Sequence, residues 1–167
     1  YYPDGTVQPL PTIVSIHGGA YVYGSKEIYR RYGMDMASRG FAFVNFNYRL
    51  APKWKFPTPL MDTNAVMAWI CKNNRRYHLD PQRIILVGDS AGAQLASHYA
   101  AIHTNPEFAS LFPIKVPDIK ICAVGLFCGM YDIPTFAKGE HKGLANDYLG
   151  RKFDLTDPRL NVLGAIT

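Results

Sequence analysis

The run Ile84-Ile85-Leu86-Val87 breaks directly into Gly88-Asp89-Ser90-Ala91-Gly92, and an Ala-rich segment follows as far as Ile102. Four branched apolar residues without polar alternation read as a strand buried on both faces. The Ala-rich segment, from about Ala91, reads as a closely packing helix. No loop separates the two, so the chain must reverse within the pentapeptide itself. Only small neighbours such as Gly88 and Gly92 let a strand and a helix pass that closely, and they leave Ser90 in a strained backbone conformation. A strand that sheds its polar face also needs partners on both sides. The rest of the chain therefore has to supply more strands.

It supplies three. Ile13 to Ile16 is an apolar run ending at His17-Gly18-Gly19; Phe41 to Phe46 is aromatic and β-branched; and Ile119 to Phe127 is predominantly apolar. Between them, Ser25 is expected to cap a helix across Ile28, Tyr29, Tyr32 and Met36, stopped by Gly40. After the loop prolines Pro52, Pro57 and Pro59, a largely buried helix is expected from Met61 to about Tyr77. Asp80-Pro81 is expected to break the chain before the third strand. Beyond Gly129 the pattern loosens, with one helical stretch near Leu144 to Leu149. Strands alternating with helices spell a mostly parallel sheet with helices on both faces, an α/β fold. Residues 1–167 read as a single domain.

Composition narrows the partners. With 48% hydrophobic residues and a formal net charge of +5, disorder is excluded. The positive charges are scattered and carry no recognisable nucleic-acid motif, so nucleic acid is not expected as a partner. No apolar window is long enough for a membrane span. The three cysteines Cys71, Cys122 and Cys128 form no disulfide framework; together with the absence of a visible signal peptide they point to the cytoplasm. His and Cys spacings match no zinc pattern, so neither metal nor cofactor is expected.

Two segments carry chemistry. A serine lifted on a strand-to-helix turn stands at the carboxyl end of the sheet and at a helix N-terminus, where backbone dipoles favour developing negative charge. His17-Gly18-Gly19-Ala20 follows the first strand, and glycines there let backbone N–H groups turn inward. Gly18, Gly19 and Ala91 are the candidate oxyanion donors, with Ser90 the candidate catalytic nucleophile. Tyr21, Tyr23 and Trp54 are candidates for an apolar substrate pocket or, equally, for packing.

His17-Gly18-Gly19 with Gly24-Ser25, Asn47-Tyr48-Arg49-Leu50-Ala51-Pro52, Phe56-Pro57 and Gly88-Asp89-Ser90-Ala91-Gly92 stand in an order and separation that resemble the hormone-sensitive-lipase-like branch of the α/β-hydrolases. Ala20 stands where a third glycine is usual, and Ala93-Gln94 where Gly-Asn is common. The resemblance implies a carboxylesterase that cleaves small or medium acyl esters through an acyl-enzyme on Ser90. Such an enzyme also needs a histidine base and a carboxylate to orient it, in the chain order Ser, acid, His. The resemblance puts these after two further strands, whereas Cys128 to Thr167 is little more than one strand–helix–strand step long.

The fold is therefore expected to be partial, with the C-terminal strands carrying the acid and His missing and the N-terminus truncated as well. His17 is expected to hold the glycine loop, His98 and His103 to lie too far along their helix, and His78 to lie at the wrong end. His141 alone is free to reach Ser90. Asp132 is expected to cap or line its loop, and Asp89 to point away from Ser90. The isolated chain should hydrolyse esters negligibly. Open sheet edges would call for self-association or a complementary chain. The competing reading is a catalytically silent, hydrolase-like ligand-binding protein.

Overall fold

The computed structural model describes residues 1–165. Four strands form one parallel sheet: β1 (Leu10–Ile16), β2 (Ala42–Phe46), β3 (Leu79–Asp89) and β4 (Ile121–Phe127), in the order β2-β1-β3-β4. Ile16 pairs with Phe46 on one side and Gly88 on the other, and Asp89 pairs with Phe127. All four carboxyl ends are thereby brought level. His17, Asp89-Ser90 and Cys128 all emerge into the crevice outside them, where open α/β sheets place their ligand sites.

Helices cover both faces. On one, Val14, Ile16, Ile84 and Leu86 pack against Leu60, Met67 and Ile70 of α2 (Thr58–Tyr77) and Leu95, Tyr99 and Ile102 of α3 (Ala91–Thr104). On the other, Ile13, Phe43 and Val87 form a smaller cluster with Tyr29 and with Met36 of α1 (Arg30–Ser38). Leu86 and Leu95 are fully buried. Each such side chain contributes about 1.5–3 kcal/mol by leaving water. The short α4 (Pro106–Ser110) leads from α3 towards β4. After β4 come α5 (Ile133–Lys138), α6 (Lys142–Leu149) and α7 (Val162–Ala165).

Several elements differ from expectation for identifiable reasons. The first helix splits into a 3-10 turn, Lys26–Tyr29, and α1, and the Ser25 side chain makes no capping bond. Helix α2 starts at Thr58 rather than Met61, because Pro59 falls in its first turn, where the missing N–H costs nothing. Asp80-Pro81 does not end the strand. Leu79 and Asp80 pair with Leu10 and Pro11, residues 81–83 bulge out, and pairing resumes at Ile84 with Thr12. Thr12 anchors the bulge, its hydroxyl accepting from the Asp80 N–H at 2.9 Å. Helix α5 lay unread in the loose region. Asp132 starts it, accepting from the Thr135 N–H at 3.0 Å, with Pro134 in the first turn.

Candidate active site

Ser90 joins β3 to α3 with φ of 51° and ψ of −118°, a conformation that a serine adopts only when its surroundings impose it. Its surroundings do. A Cβ on Gly88 would lie 2.3 Å from the Gly92 carbonyl oxygen, and one on Gly92 would lie 2.1 Å from the Ile16 carbonyl oxygen. The Ser90 N–H donates to the Phe127 carbonyl at 2.8 Å, and its own carbonyl accepts from Gln94 N–H at 3.1 Å. The elbow is thus tied to β4 on one side and to the first turn of α3 on the other. Ser90 itself is exposed.

Above it lies a cavity of about 170 Å³. Ala20, Tyr21, Ser90, Ala91 and Cys128 form one side; Met130, Phe136, His141 and Leu144, from the β4–α5–α6 segment, form the other. Tyr21 therefore sits where a pocket residue was expected. Its ring stacks on Tyr148 at 3.7 Å, and its hydroxyl donates to Gln94 Oε1 at 3.2 Å. Tyr23 and Trp54 do not line this cavity. Tyr23 turns out to solvent at 66% exposure, because its N–H and that of Val22 both bond back to the Gly19 carbonyl. Trp54 is held on the outer loop beneath the Arg49 guanidinium, 4.9 Å from the ring centre. The helix expected near Leu144 to Leu149 is α6, whereas α5, which brings Phe136 to this wall, was not expected from the sequence. Its one signal was the Asp132-Ile133-Pro134-Thr135 helix start.

The glycine loop after β1 turns through three consecutive residues of positive φ: Gly19 at 116°, Ala20 at 49° and Tyr21 at 66°. Among the described residues, no acceptor pairs with the N–H of Gly19 or Ala20. Gly18 departs from expectation, because its N–H donates to Asp89 Oδ1 at 3.0 Å and is already engaged. His17 serves the loop itself. Its Nδ1 donates to the Gly18 carbonyl at 2.7 Å, and its ring stacks 4.3 Å from Tyr48. Burial lowers the His17 pKa against the pull of the Gly18 carbonyl, Asp89 and Glu27, which favours the neutral ring.

The other histidines fall apart in space. His98 is fully buried, 3.0 Å from the Gln94 side-chain amide, and burial lowers its pKa to about 3. His103 is half-buried, and burial lowers its pKa too. His78 ends α2 in a left-handed conformation and bonds through its carbonyl to Leu10, at the opposite end of the sheet. His141 does line the cavity, yet no hydrogen bond joins it to Ser90; its ring lies 5.3 Å from that of Phe136. Asp132 is occupied with Thr135, whose hydroxyl and N–H hold its carboxyl below the usual range. Among the described residues, no group of three or more His, Cys, Asp or Glu side chains gathers as a metal site, and no helix is long and apolar enough to cross a membrane.

The chain resembles known proteins in both sequence and shape. Arylacetamide deacetylase of Bos taurus is 33% identical over 135 residues, covering 75% of this chain and 32% of that protein. Esterase LipC of Mycobacterium tuberculosis is 28% identical over 131 residues, covering 77% and 32%. The structure of esterase B from Lactobacillus rhamnosis with a tributyrin phosphonate superposes with a TM-score of 0.82 at 27% identity, over 90% of this chain and 50% of that one. The chain thus spans about a third of the length of these two relatives and half of that structure. The BD-FAE family matches residues 1–164. A match over nearly its whole length makes the chain a member of the BD-FAE family, and its parallel sheet is that of an α/β-hydrolase.

Proposed function

We propose that this chain carries the nucleophile and oxyanion half of a serine carboxylesterase acting on small or medium acyl esters. The observation that carries the reading is the exposed Ser90 at φ 51°, raised at the N-terminus of α3 beside unspent backbone amides. Attack by Ser90 Oγ on an ester carbonyl forms the C–O bond of a tetrahedral intermediate. The N–H groups of Ala91, Gly19 and Ala20 are the proposed donors to its oxyanion, helped by the dipole of α3. Gly18 is replaced in this role, since its N–H is spent on Asp89. The histidine base that such an enzyme needs takes the Ser90 proton on attack and returns it to the alkoxide as the ester C–O bond breaks, releasing the alcohol and leaving an acyl-serine, which water then hydrolyses to acid and free enzyme.

The acyl group is proposed to occupy the cavity walled by Met130, Phe136 and Leu144. Its volume of about 170 Å³ lies below the ~300–1,000 Å³ of drug-sized ligand pockets and near the ~150 Å³ that holds benzene. Esterase and deacetylase relatives support ester cleavage, and the tributyrin phosphonate named with esterase B supports small acyl chains.

The absence of a hydrogen bond between Ser90 and His141 favours a second reading, a ligand-binding hydrolase homologue without turnover. A fluorophosphonate probe separates the two. The intact protein should form a stoichiometric adduct at Ser90 and hydrolyse short p-nitrophenyl esters, and Ser90→Ala should abolish both. An intact protein that gives neither adduct nor turnover is a binder.

A further inference from the structure

We propose that Asp89 and Tyr29 are positioning residues that lock the glycine loop in its donor-presenting conformation. The inference rests on the esterase reading above and names what sets that site's geometry.

A peptide unit is planar, so fixing its C=O fixes the opposite direction for the N–H of the next residue. Three successive units in the loop are held this way. The His17–Gly18 unit is gripped at both ends: the Tyr48 hydroxyl donates to the His17 carbonyl at 3.0 Å, and the Gly18 N–H donates to Asp89 Oδ1 at 3.0 Å. In the Gly18–Gly19 unit, His17 Nδ1 holds the carbonyl at 2.7 Å. In the Gly19–Ala20 unit, the N–H groups of Val22 and Tyr23 hold the carbonyl at 2.9 and 3.0 Å. The last two units therefore present the N–H groups of Gly19 and Ala20 away from these anchors, and Ala20 lies on the cavity wall with Ser90.

Asp89 is the hinge of this arrangement because it also belongs to the nucleophile turn. Its Oδ1 accepts from both the Gly18 N–H and the hydroxyl of Tyr29, which arrives from the 3-10 turn after the loop. A Cβ on Gly18 would lie 2.4 Å from Asp89 Oδ2, so the carboxylate is wedged against bare backbone. Burial, reinforced by Asp89, pushes the Tyr29 hydroxyl up to about 12 and keeps it a donor at any working pH. One carboxylate thus couples the position of the oxyanion donors to that of Ser90. It touches no substrate itself.

Steady-state kinetics of the intact protein on a short p-nitrophenyl ester test this with Tyr29→Phe, Asp89→Asn and Asp89→Ala. Because only the transition state carries full oxyanion charge, kcat should fall while KM stays within about twofold. Tyr29→Phe should lower kcat about three- to tenfold, and Asp89→Ala about a hundredfold, in the range of losing an oxyanion donor. Asp89→Asn keeps an oxygen for both donors and should recover about tenfold over alanine. Equal losses in Asp89→Asn and Asp89→Ala, or a KM that rises while kcat holds, would overturn the proposal. If Asp89→Ala does not fold, unchanged kcat in both Tyr29→Phe and Asp89→Asn overturns it equally. Wild-type protein that hydrolyses esters and labels at Ser90 leaves such a failure specific to this inference. Wild-type protein that does neither removes the esterase reading and the positioning roles together.

Discussion

Among individual residues, His98 shows how closely the core beside the site is packed. It sits on α3, fully buried beneath Phe56, Phe108 and Phe112, with ring centres 5.5–5.7 Å apart. Burial holds its pKa near 3, against an ordinary value of 6.5, and outweighs the opposing pull of the Arg159 backbone. The folded chain therefore binds fewer protons than the unfolded one between those limits. Its contribution to stability is full above about pH 6.5 and is lost as pH falls towards 3, at up to about tenfold in the unfolding equilibrium per pH unit. Urea midpoints measured from pH 7 to pH 4 should drop accordingly in the wild type. A His98→Gln variant, which cannot ionise, should show a flatter profile over the same range; parallel profiles would refute the assignment. The sequence already excluded His98 as a base by its distance along the helix, but burial among rings contributed by α4 and the Pro57 loop is a tertiary fact. Ser90 and its glycines were different. The demand for glycine at position 88 is local, because the clash a Cβ would cause there lies four residues away in the same turn, whereas at Gly92 it lies against Ile16 of β1.

Elements were legible where their apolar pattern was long. β1, β3 and α3 declare themselves in sequence, since each carries a predominantly apolar, mostly buried stretch. Of the α5–α6 pair, α6 was legible near Leu144 to Leu149, but α5 was not, because it has only six residues and its amphipathic pattern spans less than two turns. That is why the α5 part of the far wall was missed, and why Tyr23 and Trp54 stood in for it. The pair now makes its own prediction. Leu144 of α6 is partly buried and lines the cavity with Phe136 of α5. Leu144→Ala should open the acyl end and raise the ratio of octanoyl to butyryl ester kcat/KM by about tenfold or more, the scale of one methylene's worth of pocket discrimination. Buried Phe136 would be a poorer probe, since truncating it costs about 3–5 kcal/mol of stability. An unchanged ratio in Leu144→Ala would move the acyl group out of this cavity.

Across the whole molecule, the two outer strands of the sheet are treated unequally. Beside β2, Tyr1 exchanges two hydrogen bonds with Phe43, at 2.9 and 2.8 Å, and its ring lies 6.3 Å from that of Phe43. Strand β4 has β3 as its one neighbour among the described residues, and it exposes Val124, Leu126 and Phe127 at 40%, 39% and 57%. An unpaired strand with apolar residues on both faces is a template for another strand. It also ends at the site: the Phe127 carbonyl accepts from the Ser90 N–H, and Cys128 lines the cavity. Whatever pairs with β4 comes to lie beside the nucleophile, so the edge and the chemistry are one problem for this chain. Expressed as these 167 residues, the protein should associate with itself through that edge. Sedimentation velocity should show a coefficient that rises across tens of micromolar, and Val124→Lys, a charge on an edge strand, should flatten that rise. A wild-type coefficient independent of concentration would mean that β4 does not pair with a second copy, and a Val124→Lys variant that still associates would place the contact elsewhere.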